Sequence, residues 1–405
     1  TCTVKYSPKV NDQLARLIED YHPLQDESTV QGLLQIFYET DRYMCEISGM
    51  DRFTFQPGGG SQGILTMASL IRAYFKDKGE DRDEIITTIY SHPSDAAAPA
   101  VAGFKIVYLQ PDPITGLPDL EQLKAAVTER TAGYIVANPE DTGVYNSHVK
   151  EFVDYVHSKG GLCAYDQANA NGLLGVTRAR DAGFDMCFFN LHKTFSTPHG
   201  GGGPGAGAVG CKELLRPFLP GPVVVKGESG YQFAQPEQSI GRMKNFYGNF
   251  SVVIKALTYV LTLGQEGIGE AAQNAVLNAN YMRKRLEDTF HMAYAGPCMH
   301  EFVMSLDDLK EETGVSALDL AKGLLDNGIH PPTMYFPLIV HEALMVEPTE
   351  TESRETLDEA CDVFLKLWEQ AHTQPQSLHD APVATPVGRL DEVGAARHPV
   401  LRYQP

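Results

Sequence analysis

The sequence predicts an α/β fold with a large domain built on a mostly parallel, seven-stranded sheet covered by helices. Two observations lead to this prediction. Between residues 31 and 255, short apolar and β-branched bursts alternate with amphipathic stretches, as strands and crossover helices do in a parallel sheet. From residue 256 onward, long helical stretches replace most of the strands, which indicates a smaller C-terminal α/β domain.

Seven bursts account for the predicted strands. They cover residues 52–55, 85–90, 105–109, 133–137, 162–166, 186–190 and 207–211. Helical patterns at 63–78 and 147–160 lie between them, and the second ends in a glycine suited to a helix terminus. Because open α/β sheets bind ligands beyond the carboxyl ends of their strands, the residues after each burst are the first candidates for a site.

Changes of pattern along the chain predict three parts. Residues 1–30 form an N-terminal arm, 31–255 the large domain, and 256–405 the small domain with a proline-rich tail. Within the small domain, Ser316 is the expected N-cap of a helix over 316–328. One further helix is indicated by apolar residues at three- and four-residue steps. These are Leu357, Ala360, Cys361, Phe364, Leu365 and Trp368.

Composition excludes several classes of function. With 52 acidic and 33 basic residues the formal charge is −19, which disfavours nucleic acid and anionic membrane surfaces as partners. No apolar run reaches the roughly 20 residues that span a bilayer. The seven cysteines are scattered, so a reducing, cytoplasmic location is expected. Without paired cysteines or HExxH we expect no metal site, and without GxSxG no serine hydrolase.

Lys193 is the first candidate for chemistry. It follows the burst 186–190 in "FNLHKTFSTPHGGGGPGAG" (189–207), at the edge of the sheet where ligands bind. The glycines allow the backbone to approach a bound group. A lysine amine in this place can form a Schiff base with a carbonyl group. Taken alone, the motif is more typical of a solvated loop lysine.

Two other strand ends offer partners for such a lysine. Asp166 closes the burst 162–166 in "AYDQANANG" (164–172), and a carboxylate there can keep the ring nitrogen of pyridoxal phosphate protonated. Its structural alternative is a cap on the following turn. His92 follows the burst 85–90 and can stack on an aromatic cofactor or transfer a proton; otherwise it is a hydrogen-bonded loop histidine.

A glycine-rich turn, "QPGGGSQG" (56–63), precedes a predicted helix. Its N–H groups and the positive helix end form a cradle for a phosphate. Gly58, Gly60 and Gly63 also match GxGxxG, so a dinucleotide-dependent dehydrogenase is a rival interpretation. That rival requires an acidic residue at the end of the next strand, where only Ser91 and His92 stand. Asp95 lies too far along the chain to serve well.

Seven stretches together resemble the glycine decarboxylases, or P-proteins, of the glycine cleavage system, and specifically the second subunits of the two-subunit form. These stretches span nearly the whole chain. They are "CTVKYSPKV", "HPLQDESTVQG", "NLHKTFSTPHGGGGPG", "SIGRMKNFYGNF", "HPPTMYFP", "LMVEPTETES" and "ATPVGRLDE".

The resemblance implies a fold-type I enzyme that uses pyridoxal phosphate. Lys193 would carry the Schiff base and His92 would lie against the ring as the second catalytic residue. The implied cofactor-binding residues are Gly59, Gly60, Ser61, Thr142, Asp166, Ala168 and His192. Such enzymes decarboxylate glycine and pass the aminomethyl group to the lipoyl group of a carrier, the H-protein. A homologous first subunit is the implied partner, in a heterodimer.

The chain departs from the family pattern near the expected site. Asp95 replaces an asparagine, Glu140 follows Asn138 and Pro139 where asparagine or serine is usual, and Gln167 replaces a glycine. Asp95, Glu140, Gln167 and Asn138 are therefore candidates for substrate contact. The alternative to a glycine decarboxylase is a paralogue that applies the same cofactor to another amino acid or acceptor. A non-catalytic scaffold is disfavoured because Lys193, Asp166 and His92 are all present.

Overall fold

The computed structural model describes residues 5–18, 20–22, 24–197, 199 and 203–402. These residues form two units. The first runs to Asn280 and also contains Tyr294–Phe302 and Glu347–Glu352; the second contains Tyr281–Ala293, Val303–Val346 and the residues from Ser353 onward. Among the helices in the described ranges, none has the length and apolar content that crossing a membrane requires.

A sheet of seven strands forms the centre of the first unit. The strands are β1 (Arg52–Thr54), β2 (Glu84–Thr88), β3 (Lys105–Leu109), β4 (Thr131–Ala137), β5 (Leu162–Gln167), β6 (Met186–Asn190) and β7 (Gly207–Cys211), in the order β1-β7-β6-β5-β4-β2-β3. Strand β7 runs antiparallel to both neighbours, and the other pairs are parallel. The mostly parallel seven-stranded sheet is confirmed.

Seven helices in the described part of the chain accompany this sheet, and those that pack on it bury its two faces in separate apolar clusters. They are α1 (Lys9–Arg16), α2 (Gln31–Ser48), α3 (Gly60–Asp77), α4 (Ser94–Val101), α5 (Leu120–Ala126), α6 (Val149–Ser158) and α7 (Phe250–Leu286), the last interrupted at Gly264. Helix α3 begins three residues before the predicted start. The sequence pattern missed this first turn because it is rich in glycine, a poor helix former. A hairpin of β8 (Val223–Gly227) and β9 (Gly230–Ala234) was not predicted.

Alternating residues of the strands bury apolar side chains on both faces. On β4, Tyr134 and Val136 pack into one cluster with Phe152 of α6. Ile135, which lies between them, packs into a second cluster with Ile71 of α3. A parallel sheet between two helical layers has this continuous burial, which explains the uninterrupted apolar bursts in the sequence.

The second sheet has four strands. It contains β10 (His291–Met292), β11 (Phe302–Ser305), β12 (Thr333–Met334) and β13 (Ala343–Val346), in the order β10-β11-β13-β12. Helices α8 (Asp307–Thr313) and α9 (Ala317–Asp326) lie between β11 and β12, and α10 (Arg354–Thr373), α11 (Pro375–Asp380) and α12 (Glu392–Arg397) follow β13. Ser316 caps α9 in a reciprocal capping box with Asp319, as predicted. Leu357, Cys361 and Phe364 are buried on α10.

The two units divide the chain differently from the predicted boundary at residue 256. That position lies within α7, whose residues Val253, Ala256, Val260 and Ile268 join the apolar cluster of the main sheet. Burial of these side chains keeps the first part of α7 in the first unit. A helical pattern in the sequence shows that a face is buried, but not against which sheet it packs.

Candidate functional site

The carboxyl ends of four neighbouring strands bring the predicted residues to one edge of the main sheet. Asp166 on β5 pairs with Ala137 at the end of β4 and with Phe188 on β6. Lys193 follows β6, and His92 follows β2, which is the next strand beyond β4. The parallel register therefore places a lysine, a carboxylate and an imidazole at a single edge.

The turn after β6 holds Lys193 in a defined position. The Lys193 N–H donates to the Asn190 carbonyl oxygen at 3.1 Å. On either side, the Ala170 N–H donates to Thr194 Oγ1 at 2.9 Å, and Thr197 Oγ1 donates to the Leu191 carbonyl oxygen at 2.7 Å. Lys193 is half-buried, so it is not a fully solvated loop lysine. Of the glycines that follow it, Gly200, Gly201 and Gly202 lie outside the described residues.

Several titratable groups lie close enough to Lys193 to interact with its charge. His92, Asp141, His300 and Glu301 all interact electrostatically with its ammonium group. His92, Asp141 and Asp95 interact in the same way with Asp166. The lysine and the aspartate thus belong to one electrostatic cluster.

Asp166 is buried at the end of β5. Its Oδ1 accepts a hydrogen bond from the Ala168 N–H at 2.7 Å. This contact is the local cap that was the structural alternative for Asp166. A carboxylate has lone pairs for further donors, so the cap leaves Asp166 able to face a cofactor as well.

His92 is oriented by the residue at the start of α4. The Ser94 N–H donates to His92 Nδ1 at 3.1 Å, and the Ser94 hydroxyl lies 2.7 Å from the same nitrogen. Although part of the ring is open to solvent, desolvation lowers the pKa of His92; Asp166 opposes this shift and Lys193 adds to it. Ser94 therefore fixes the imidazole through Nδ1.

The glycine turn forms the start of α3. The Gly58 N–H donates to Gln62 Oε1 at 2.7 Å, and the Gly63 N–H makes the first helical bond, to the Gly59 carbonyl oxygen at 2.9 Å. The N–H groups of Gly60, Ser61 and Gln62 precede that bond and have no partner within the helix. They can therefore bind an anion.

Two side chains lie beside this turn. A Cβ on Gly58 would be 2.8 Å from Lys244 Nζ, so an ammonium group stands at the cradle. A Cβ on Gly59 would be 3.7 Å from His192 Cε1. Burial chiefly lowers the pKa of His192 to about 4, so this ring is neutral near pH 7. The cradle thus combines helix N–H groups, one cation and a neutral imidazole.

Glu140 is buried beneath the site. Its carboxylate accepts hydrogen bonds from Ser91 Oγ at 2.9 Å and from Thr88 Oγ1 at 3.2 Å. Burial raises the pKa of Glu140 well above its usual value, against the effect of these donors. The hydroxyl groups at the end of β2 therefore bind the Glu140 carboxylate. A dinucleotide-dependent dehydrogenase would have an acidic residue at that strand end instead.

The remaining predicted residues lie on the same side of the sheet. Asn138 donates to the Asn146 carbonyl oxygen at 3.0 Å and accepts the Asn146 N–H at 2.8 Å, which commits its amide to a turn. Thr142 is buried, and its Oγ1 accepts the Val144 N–H at 3.4 Å. Gln167 is buried, and its Oε1 has no partner among the described residues.

Sequence reasoning missed a group of acids and one histidine. Desolvation raises the pKa of Asp141 to about 7, with Asp166 adding to the shift. His300 is buried, with Nε2 3.8 Å from Glu301 Oε2 and 3.9 Å from Glu347 Oε1. Burial lowers the pKa of His300 and raises that of Glu301.

Some signal for these residues was available. Asp141 directly follows the predicted Glu140. Glu347 stands in "LMVEPTETES", and Lys244 in "SIGRMKNFYGNF", two of the stretches that carried the resemblance. Glu347 accepts hydrogen bonds from the Asn169 and Asn171 amides at 2.7 and 2.9 Å. No motif near His300 and Glu301 indicated the site. These residues follow the long helix α7, and only the folded chain brings them near Lys193.

A possible metal-binding group lies elsewhere in the described chain. The ligand atoms of His157, Cys163 and Asp185 all lie within 4.8 Å of one another. However, Asp185 already pairs with His157 Nε2 at 2.7 Å and with Lys212 Nζ at 3.1 Å. Because a lysine ammonium repels a cation, we assign this group a structural role.

Two family models match the chain. One describes the C-terminal domain of glycine dehydrogenase and matches residues 271–382; the other describes class-V aminotransferases and matches residues 44–237. The second supports a fold-type I arrangement of the main sheet.

Relatives of similar length carry one description. A protein of Treponema denticola, described as probable glycine dehydrogenase (decarboxylating) subunit 2, is 49% identical over 100% of this chain and 84% of its own length. A protein of Pyrococcus horikoshii with the same description is 47% identical over 100% of this chain and 82% of its own length. A crystal structure of glycine decarboxylase (P-protein) in inhibitor-bound form superposes with a TM-score of 0.76 at 20% identity, covering 90% of this chain and 84% of that one.

Proposed function

The chain belongs to the glycine dehydrogenase (decarboxylating) subunit 2 family, and from this we propose that the sheet edge around Lys193 is where it decarboxylates glycine with pyridoxal phosphate. One observation carries the placement. Asp166 lies at the end of β5, Lys193 follows β6 and His92 follows β2, so all three stand at one edge of the main sheet, beside a cradle for a phosphate. The relatives do not favour the paralogue alternative, and the burial of Asp95 and Glu140 explains these residues without a different substrate.

The residues present fit pyridoxal phosphate. The α3 N–H groups and Lys244 suit the phosphate, and Asp166 suits the ring nitrogen. His92 can pack against the ring face, and Lys193 can bond to the aldehyde carbon. Gly59, Gly60, Ser61, Thr142, Ala168 and His192 are proposed to line the cofactor. Gln167 Oε1, which lacks a partner in the described part of the chain, is proposed to receive a donor from bound substrate or water.

Each side chain has a defined task in this mechanism. When bound, pyridoxal phosphate supplies an electron sink for the charge left as CO2 departs. Lys193 Nζ would hold the cofactor through its aldehyde carbon. Asp166 would hold a proton at the ring nitrogen, and His92, which accepts the Ser94 N–H at Nδ1, would pack against the ring face.

The name of the family implies a first subunit as partner. We propose that this partner is homologous and forms a heterodimer with this chain. We also propose that the aminomethyl group passes to the lipoyl group of a carrier protein, the H-protein. A cytoplasmic location is proposed because the seven cysteines are scattered singly along the sequence, without the pairing pattern of a disulfide framework.

Spectroscopy and CO2 release test the proposal together. The purified chain with pyridoxal phosphate should show the yellow absorbance of a lysine-bound cofactor. Lys193→Ala should lose this absorbance, and the exposed-site control Lys226→Ala should keep it. Glycine should then shift the spectrum, and CO2 release should require the first subunit and the lipoyl carrier. A response to another amino acid with none to glycine would contradict the proposal, as would unchanged absorbance in Lys193→Ala.

A further inference from the structure

Asp95 is the least accessible carboxyl group near the site. It lies in the first turn of α4 and is 0% exposed. Its N–H donates to the His92 carbonyl oxygen at 2.8 Å, which places it directly behind the turn that carries His92. It has no contact with solvent, so any hydrogen bond it makes must come from the protein.

The protein offers Asp95 no ordinary donor. Within the described residues, no N–H or O–H group reaches either of its carboxyl oxygens. The carboxyl group of Asp166 on β5 does lie within hydrogen-bonding reach, and any charge on Glu140 or Asp141, which follow β4, would further disfavour a charge on Asp95. Because two ionised carboxylates cannot share a hydrogen bond, one member of the Asp95–Asp166 pair must carry a proton.

The surroundings determine which member carries it. Asp166 accepts a backbone N–H at 2.7 Å and retains 7% exposure, and both features stabilise an anion. Asp95 has neither. The dipole of α4 favours an anion in its first turn, but this helix has only eight residues, and the dipole does not offset burial beside three other acids.

We propose that Asp95 is a neutral carboxylic acid that donates its proton to Asp166, and that this bond orients the Asp166 carboxylate. Asp95 is thus a positioning residue that acts through Asp166. An asparagine at position 95 would offer a comparable donor without a proton to lose. The benefit of this bond to the cofactor rests on the proposed function, whereas the protonation itself can be tested without the cofactor.

The first test uses the cofactor-free chain. Above about pH 4 an unfolded aspartate releases its proton, whereas folded Asp95 retains it, so wild type loses stability as pH rises. Relative to wild type, the unfolding constant of Asp95→Asn should fall as pH rises above about 4, by up to about tenfold per pH unit, and its thermal midpoint should rise relative to that of wild type. Asp81→Asn, an exposed control, should show a constant difference. A constant difference for Asp95→Asn would overturn the proposal.

A second background isolates the partner. In a chain that already carries Asp166→Asn, adding Asp95→Asn should again raise stability relative to the background as pH rises. This gain should stop increasing at a lower pH than in the wild-type background, because one of the charges that hold the proton on Asp95 is gone. If the gain follows the same pH curve in both backgrounds, burial alone holds the proton, which would overturn the pairing with Asp166.

The third test concerns the cofactor. Asp95→Asn should bind pyridoxal phosphate within about threefold of wild type, and Asp95→Ala about tenfold more weakly, the effect of one lost hydrogen bond. Equal affinity of Asp95→Ala and wild type would overturn the positioning role. Absence of cofactor binding in wild type would instead contradict the proposed function, so the two failures are distinguishable.

Discussion

Ser7 donates a hydrogen bond from its hydroxyl to the carbonyl oxygen of Ser196 at 3.0 Å. In the opposite direction, Ser196 Oγ donates to the Tyr6 carbonyl oxygen at 2.8 Å. Ser196 stands three residues beyond Lys193 and has a φ of 52°, which is unfavourable for a residue with a side chain. The N-terminal arm therefore holds the turn that carries the lysine.

Removing this connection should weaken cofactor binding. Ser196→Ala loses the bond to Tyr6 and should raise the dissociation constant of pyridoxal phosphate by up to about tenfold, the effect of one hydrogen bond. Ser7→Ala should act in the same direction. Ser158→Ala is the control. The Ser158 hydroxyl also donates to a backbone carbonyl oxygen, that of Tyr155 at 2.6 Å, but it does not belong to the turn that carries Lys193. Cofactor titrations that do not distinguish these variants would refute the role of the arm.

A buried ion pair anchors the same arm. Lys5 Nζ donates to Glu350 Oε1 at 2.8 Å and to Tyr259 Oη at 3.0 Å, and its side chain is 3% exposed. Burial lowers the pKa of Lys5, and Glu350 opposes the shift. Lys5→Met should destabilise the chain by about 3–5 kcal/mol, because the Glu350 side chain, which is only 11% exposed, loses its cationic partner. The double variant Lys5→Met, Glu350→Gln should recover most of the loss in denaturant titrations; no recovery would show that the ion pair is not the cause.

The last glycine of the cradle is required by packing. A Cβ on Gly63 would lie 2.4 Å from Phe188 Cδ2, in the buried core. Gly63→Ala should therefore destabilise the chain by about 1–3 kcal/mol, despite the better helix propensity of alanine. Gly32→Ala on α2 is the matched control, because its Cβ meets nothing within 4 Å. Gly32→Ala should be neutral or more stable by up to about 1 kcal/mol. Equal thermal midpoints for the two variants would contradict this explanation.

Asp141 should make the stability of the folded chain depend on pH. Its pKa, raised to about 7, lies above the unfolded value near 3.9, so the folded chain binds its proton more tightly. The resulting stability is complete below about pH 4 and is lost as pH rises through 7. Asp141→Asn should flatten this part of the curve of thermal midpoint against pH. If the curve keeps its step near pH 7, another group titrates there.

The fold was largely predictable because buried parallel strands leave apolar bursts in the sequence. All seven strands of the main sheet were recognised in this way. The strand ends then placed Lys193, Asp166 and His92 at one edge. The hairpin of β8 and β9 was missed because its residues are only partly buried and carry no strong alternation.

The acids around Lys193 were harder to predict. Glu140 was read as a substrate contact, yet its partners Thr88 and Ser91 stand some fifty residues earlier in the chain. Only the pairing of β2 with β4 brings them together. His300 and Glu301 reach the site after a long helix. Such partners depend on the three-dimensional arrangement, and no local pattern encodes them.

The buried acids also alter how the whole protein behaves in an electric field. The formal charge of −19 counts every carboxyl group as ionised. Burial raises the pKa values of Asp95, Glu140 and Glu301 well above their usual range, so each retains a proton that the unfolded chain gives up. Folding near neutral pH therefore takes up protons from the buffer. The folded chain should consequently migrate more slowly toward an anode than its formal charge indicates.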